Sequence, residues 1–214
     1  MRRFVIIGRT ARASAELRLD DIPSTGRRLD VLLRCVRAGL LVSHGLRRDV
    51  VFYLVLGGAA EGPLALRIAG ASAQFIRPDE RSLAATVQKA LARAPGRGLG
   101  FEDVKPGVAV SAAGADAVFA DLPRGAAYVL DETGSDVRYE ALAHDESIFF
   151  VGDHLGFDAA THARLDAFGA RRISVGPQSL HAEDAVAIVS NELDRRESLA
   201  GAAAAMKTER GQRA

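Results

Sequence analysis

Two short apolar runs, each halted by a glycine loop, constrain this chain more than any other feature. Ile148, Phe149, Phe150 and Val151 form a β-rich run that stops at Gly152, as a buried strand stops at a loop. Residues 172–175 repeat the behaviour and stop at Gly176-Pro177. From His181 onward Ala182, Ala185, Val186, Val189 and Leu193 recur at helical spacing, so a helix follows the second loop at once. Ligands of open α/β sheets bind outside such strand ends, where backbone donors and acceptors are free. Ordinary connections in an α/β domain would look the same on geometry alone.

The rest of the chain alternates strands and helices. Residues 4–7 read as a first strand and residues 9–26 as a polar, turn-rich connection. Leu29, Leu32, Leu33, Val36 and Leu40 make an apolar stripe, which predicts an amphipathic helix over 28–43. Residues 50–56 form an unbroken β-rich run, the mark of a strand buried on both faces. Shorter strands are expected over 64–69 and 74–76. Pro78, with Asp79 and Glu80 behind it, opens a helix whose buried face is Leu83, Val87, Ala90 and Leu91. A strand over 108–110, a helix over 115–122 and a strand over 128–130 ending at Asp131-Glu132 follow. Residues 93–107 are weakly patterned. Their GRGLG follows a helix rather than a strand, so it reads as a flexible connection and not a nucleotide-binding loop. Beyond Arg196 the sequence turns Ala-rich and then charged, and a disordered tail is expected over 197–214. These elements predict one α/β domain over 1–196, its largely parallel sheet flanked by helices.

Composition removes several function classes. A net charge of +1 gives no global field for a nucleic acid, so any basic footprint must be local. Cys35 is the only cysteine, which excludes an intrachain disulfide and a cysteine-rich metal site. His44, His144, His154, His162 and His181 are not paired at metal-ligand spacing, so no metal is expected. No GxSxG elbow supports a serine hydrolase, and no well-placed glycine fingerprint supports a nicotinamide oxidoreductase. No signal sequence and no membrane span are expected, and a cytoplasmic protein is. With no Trp and 6% aromatic residues, extensive base stacking is not expected.

Arg27, Arg28, Arg34, Arg37, Arg47 and Arg48 cluster in sequence, with only Asp30 and Asp49 among them. If the helix bearing Arg34 and Arg37 meets the turn bearing Arg47 and Arg48, they make an anion site for phosphates or an ionising nucleobase. A solvated helix face plus a loop would carry the same residues. Asp49 stands at the mouth of a buried strand beside two arginines that keep it ionised. It is either their structural partner or a functional carboxylate. Arg81 follows two helix-capping acids at a position where the helix dipole does not favour a cation, which singles it out. His154 and His181 lie in the glycine loops, as loop-positioning donors or as a general base.

In chain order, GRRLDVLLRCV (26–36), SHGLRRDVVFYLVLG (43–57), RPDERS (77–82), GDHLG (152–156) and SLHAEDA (179–185) resemble a known set of blocks. They are similar to the diagnostic blocks of the archaeal-type tRNA pseudouridine N1-methyltransferases, within the SPOUT class. The resemblance covers residues 1–196 apart from the weak centre at 93–127. It implies a SPOUT fold with a C-terminal trefoil knot, a homodimer, and S-adenosylmethionine held by the knot loops. Carried over by position, the cofactor contacts are Leu130, Gly152, Val175, Gly176, Pro177, Gln178, Ser179 and Leu180. Ala185 stands where many members carry a thiol-bearing residue. The implied reaction is methyl transfer to N1 of pseudouridine in the tRNA T-loop, at tRNA position 54. Asp49 would accept or orient the N1 proton, while Arg48, Arg34 and Arg81 steady the developing uracil anion and a phosphate. A ribosomal RNA pseudouridine as substrate, and a catalytically idle SPOUT protein that only binds RNA, remain as alternatives.

Overall fold

In chain order the elements are β1 (Arg2–Gly8), α1 (Ile22–Thr25), α2 (Leu29–Leu40), β2 (Leu41–Val42), β3 (Gly45–Leu46), β4 (Val50–Leu56) and β5 (Leu64–Ala69). There follow α3 (Glu80–Leu91), β6 (Glu102–Lys105), β7 (Val108–Ser111), α4 (Gly114–Asp121), β8 (Ala126–Asp136), β9 (Ser147–Gly152), α5 (Ala159–Phe168), β10 (Arg171–Ser174) and α6 (Ala182–Gly211). This computed structural model describes residues 1–211 except 13, 15, 59–61, 94, 95, 97 and 143–145, with side chains up to residue 200.

Eight strands form one sheet in the order β10-β8-β9-β1-β4-β5-β7-β6. The five strands from β10 to β4 are parallel, and β5, β7 and β6 complete one edge antiparallel. Side chains alternate across a strand, and β1, β4 and β9 are apolar on both faces along most of their length, so both faces must be covered. Phe4 and Ile6, Phe52 and Leu54, and Phe149 and Val151 face α2, α3 and α6. Val5 and Ile7, Tyr53 and Val55, and Ile148 and Phe150 face the opposite layer, where Val118 of α4 and Leu165 of α5 meet them. On the first face, rings stack across four neighbouring strands: Phe52 on Phe4 at 5.1 Å, Phe4 on Phe149 at 5.4 Å and Phe149 on Tyr128 at 5.3 Å. Gly39 lets α2 seat between the sheet and α6, since a Cβ there would stand 2.6 Å from Phe52 and 2.7 Å from Val186.

Several boundaries depart from the sequence reading. Helix α2 ends at Leu40 rather than 43, because the chain turns into the β2–β3 hairpin and the Arg47 N–H donates to the Leu40 carbonyl at 2.8 Å. Residues 74–76 are not a strand; they belong to a loop across the sheet end that Arg48 fastens through its carbonyls. Asp79, whose carboxylate accepts from the Ser82 N–H at 2.8 Å, caps α3, so Pro78 lies outside the helix rather than in its first turn. Strand β8 continues past Asp131-Glu132 to Asp136 by pairing with β10 through a register shift at Arg172/Ile173. The weakly patterned stretch contains β6, whose single inward apolar residue is Val104. GRGLG lies partly outside the described residues, and what is described leads to β6 and not to a helix. His144 is also outside them. Helix α6 continues beyond Arg196 to Gly211. Among the described residues no helix is long and apolar enough to cross a membrane.

Candidate functional site

Parallel neighbours end on the same side of a sheet, and here the ends of β9 and β10 and the point where β8 parts from β9 open on one cavity of about 980 Å3. Strand β8 brings Leu130, Asp131 and Glu132, β9 brings Val151 and Gly152, and the turn after β10 brings Val175, Gly176, Gln178, Ser179 and Leu180. The first turn of α6 closes one wall with Glu183, Asp184 and Ala185, and α2 another with Val31 and Arg34.

The loops hold their shape through local hydrogen bonds. The Asp153 carboxylate accepts from the Leu155 N–H at 2.9 Å and from the Arg9 N–H at 2.8 Å, which ties the turn after β9 to the end of β1. Within that turn the chain doubles back so closely that a Cβ on Gly152 would stand 3.0 Å from the Gly156 Cα. Backbone at Gly152 is therefore free of side-chain cover and open to a ligand. After β10, the Gly176 N–H donates to the Ser174 hydroxyl at 3.0 Å, which in turn donates to the Gly176 carbonyl.

Cavity walls divide into apolar and charged parts. Val31, Leu130, Val151, Val175, Leu180 and Ala185 supply surface on which a planar base can lie. Asp131, Glu132, Asp153, Glu183 and Asp184 outnumber Arg28 and Arg34 among the described lining residues. That balance suits a ligand with net positive charge. The Thr133 hydroxyl, and then its backbone N–H and Arg172, hold the Asp131 carboxyl below the usual range. Arg34 is engaged on both sides: its Nε donates to Glu183 at 2.6 Å and its Nη1 to Asp30 at 2.7 Å. Burial opposes its charge, but these two hydrogen bonds outweigh that and raise its pKa. Glu80 adds a third carboxylate at 3.6 Å. Cys35, fully buried behind this wall, has its thiol pushed up by burial and then by Glu183, so it is no nucleophile.

Of the positions expected to hold a cofactor, Leu130, Gly152, Val175, Gly176, Gln178, Ser179, Leu180 and Ala185 line this cavity. Pro177 sits exposed in the same turn without lining it. Arg34 lines it too, whereas Arg48, Asp49 and Arg81 do not. Asp49 lies at the start of β4, where its carboxylate pairs with Arg2 at 3.0 Å and its carbonyl accepts from the Arg2 N–H. Arg2 to Ile7, which is beside Gly152, is five steps of β1, so roughly 17 Å separate the two ends. Arg48 donates to the carbonyls of Gly70 at 2.9 Å and Ala73 at 3.4 Å. Arg81 is exposed on α3 and adds a small part to the lowering of Asp20, which Arg18 chiefly causes. His154 and His181 line the cavity as loop residues, joined by His162. The reading passed over Glu183 and Asp153 as site-shaping carboxylates, although both stand inside the quoted blocks.

Residues 1–198 match the family of S-adenosylmethionine-dependent RNA methyltransferases. The chain is 38% identical over 201 residues to the tRNA (pseudouridine(54)-N(1))-methyltransferase of Methanocella arvoryzae, covering 92% of this chain and all of that protein. It is 38% identical over 197 residues to the Halobacterium salinarum protein of the same name, covering 91% of this chain and 96% of that protein. A solved structure, Archaeoglobus fulgidus Nep1 bound to S-adenosylhomocysteine, superposes with a TM-score of 0.58 at 14% identity, covering 91% of this chain and 98% of that one. That likeness establishes the fold.

Proposed function

The chain belongs to the family of S-adenosylmethionine-dependent RNA methyltransferases, and from that premise we propose that it methylates N1 of pseudouridine 54 in tRNA. The observation that carries the reading is the convergence of Leu130, Gly152 and the 175–180 turn on one cavity beside the first turn of α6.

S-adenosylmethionine is the cofactor, and its chemistry fits this donor set. The cavity offers apolar surface for an adenine, exposed backbone at Gly152, and an excess of carboxylates for a molecule carrying a sulfonium and an ammonium. When bound, the cofactor supplies an electrophilic methyl group. Leu130, Val175 and Leu180 would cover the base, and the turns at Gly152 and Gly176 would read its edge through backbone groups.

Pseudouridine carries a proton on N1, whereas uridine bonds its sugar at the corresponding position, so the nucleobase selects itself. That proton must leave as the methyl arrives. We assign its acceptance to the Asp49 carboxylate, 45% exposed and fixed by Arg2. Arg48 and Arg81 serve the developing anion and a phosphate, with Arg34 at the cavity wall. Because Asp49 and the cavity of one protomer stand at opposite ends of the sheet, the assignment requires a homodimer in which Asp49 of one subunit meets the cavity of the other. A trefoil knot formed by the cavity loops and a cytoplasmic location belong to the same proposal.

The test is methyl transfer from labelled S-adenosylmethionine to two T-loop hairpins that differ only in uridine or pseudouridine at the target position. Label confined to the pseudouridine hairpin is the expected result. Label in neither hairpin, with cofactor binding demonstrated, overturns the substrate assignment.

A further inference from the structure

Far from the cavity, a groove of about 400 Å3 runs between the outer face of α3, the end of β6 and the loop that joins β5 to α3. Its charged residues are Arg77, Lys89, Arg93 and Lys105; no acid lines it among the described residues. Arg77, Lys89 and Lys105 have no ion-pair partner there either. Burial, and then the neighbouring Lys89 ammonium, hold the Lys105 ammonium below its ordinary range. Two ammonium groups thus line one groove with no acid beside them in its described lining. In a chain whose net charge is only +1, this is a concentrated positive feature.

At the groove's mouth stands Phe75, 91% exposed. Its φ is +55°, a backbone conformation that side-chain-bearing residues rarely adopt. The chain therefore bears local strain while leaving a large apolar ring in water, which no requirement of the core explains. Arg48 fixes the loop behind it through the Gly70 and Ala73 carbonyls.

We infer that this groove is a second RNA-contacting surface, taking one unstacked base on Phe75 and the flanking phosphates on Arg77, Lys89 and Lys105. The inference rests on the reading of the chain as an RNA methyltransferase and extends the contact area well beyond the cofactor cavity. Aromatic faces stack on any base, and cations beside them track the backbone, which is the general chemistry of single-strand contacts. A second copy of the chain fits less well, because a protein interface core needs more apolar surface than one ring.

The experiment is tRNA binding by the full chain as a function of salt, with S-adenosylhomocysteine affinity and methyl transfer measured in parallel. Replacing both lysines (Lys89→Ala, Lys105→Ala) should flatten the slope of log affinity against log salt by about 1.5. Phe75→Gly should weaken RNA binding on the order of ten-fold. The same glycine should raise the unfolding midpoint, because it relieves the positive φ. A purely structural role for Phe75 predicts instead a lowered midpoint with RNA affinity unchanged. Cofactor affinity and kcat should hold in all variants, with KM for RNA rising. Unchanged RNA affinity and salt slope overturn the groove, as does loss of self-association in place of RNA binding. If wild type methylates pseudouridine RNA while the variants bind it normally, the groove fails and the function stands. If wild type binds tRNA through these residues yet transfers no methyl to pseudouridine, the function fails and the groove stands.

Discussion

Arg34 lines the cavity, and its partners there suggest a structural part for it that can be tested. Its guanidinium lies on the cavity wall, where Glu183 takes the Nε donor, Asp30 takes one from Nη1 and Glu80 stands close by. Carboxylates surround this cation and offset its charge, and its bond to Glu183 ties α2 to the first turn of α6, next to the 175–180 turn. Arg34→Met should therefore cost about 3 kcal/mol of stability, because Asp30, only 2% exposed, is left with Arg28 alone. Cofactor affinity should fall as the α6 turn loosens, while affinity for RNA should hold. Denaturant titration and calorimetry with S-adenosylhomocysteine decide it: intact stability together with weakened RNA binding would return Arg34 to the role of a phosphate contact.

Helix α6 is held at both ends of the sheet, and its attachments make two predictions. Near the β1 and β4 starts, Asp194 accepts from Arg47 at 2.7 Å and from Arg2 at 2.6 Å. Burial works against that carboxylate, but the arginine hydrogen bonds outweigh it and depress its pKa below 3.8. A depressed carboxyl contributes stability above its unfolded value and loses it as pH falls through the folded one. The wild-type urea midpoint should thus fall between pH 6 and pH 3 by more than that of Asp194→Asn; parallel curves would refute the linkage. At the contact with α2, Gly39→Ala forces a methyl into Phe52 and Val186 and should cost on the order of 2 kcal/mol, read from the same titrations. These elements differ in how legible they are. Strands β1, β4 and β9 are apolar on both faces, so composition alone reveals them. Strand β6 is an edge with one buried valine, and the extension of β8 through 131–136 is polar, so only their pairing partners make them strands. The glycine turns at 152 and 176 were legible as loops at strand ends, but only the family resemblance singled out the individual residues that line the cavity. The groove at Phe75 was not legible, since its cations come from separate segments and its aromatic lies where a strand was expected.

Across the whole molecule, the parallel half of the sheet sets two ends apart. The cavity opens where β9 and β10 end and β8 parts from β9, while Asp49, Arg2, Arg47 and Asp194 gather at the N-terminal ends of β1 and β4. Roughly 17 Å of strand separates the two, so Asp49 would not reach a methyl donor seated in its own protomer's cavity by a side-chain rearrangement alone. A two-fold dimer that sets the two ends face to face would resolve this, with two equivalent sites per pair. Subunit mixing tests it without reference to any particular interface. Gly152→Val, which fills the close approach to Gly156, should abolish cofactor binding, and Asp49→Asn should abolish methyl transfer with cofactor binding intact. Each variant alone should be inactive. Unfolded and refolded together in equal amounts, they should recover about one quarter of wild-type activity, because half the dimers are mixed and each mixed dimer has one site free of both substitutions. If both residues instead serve one protomer's site, mixing restores nothing. In that case Asp49 would act within its own chain through a rearrangement of the sheet end, or only as the partner of Arg2.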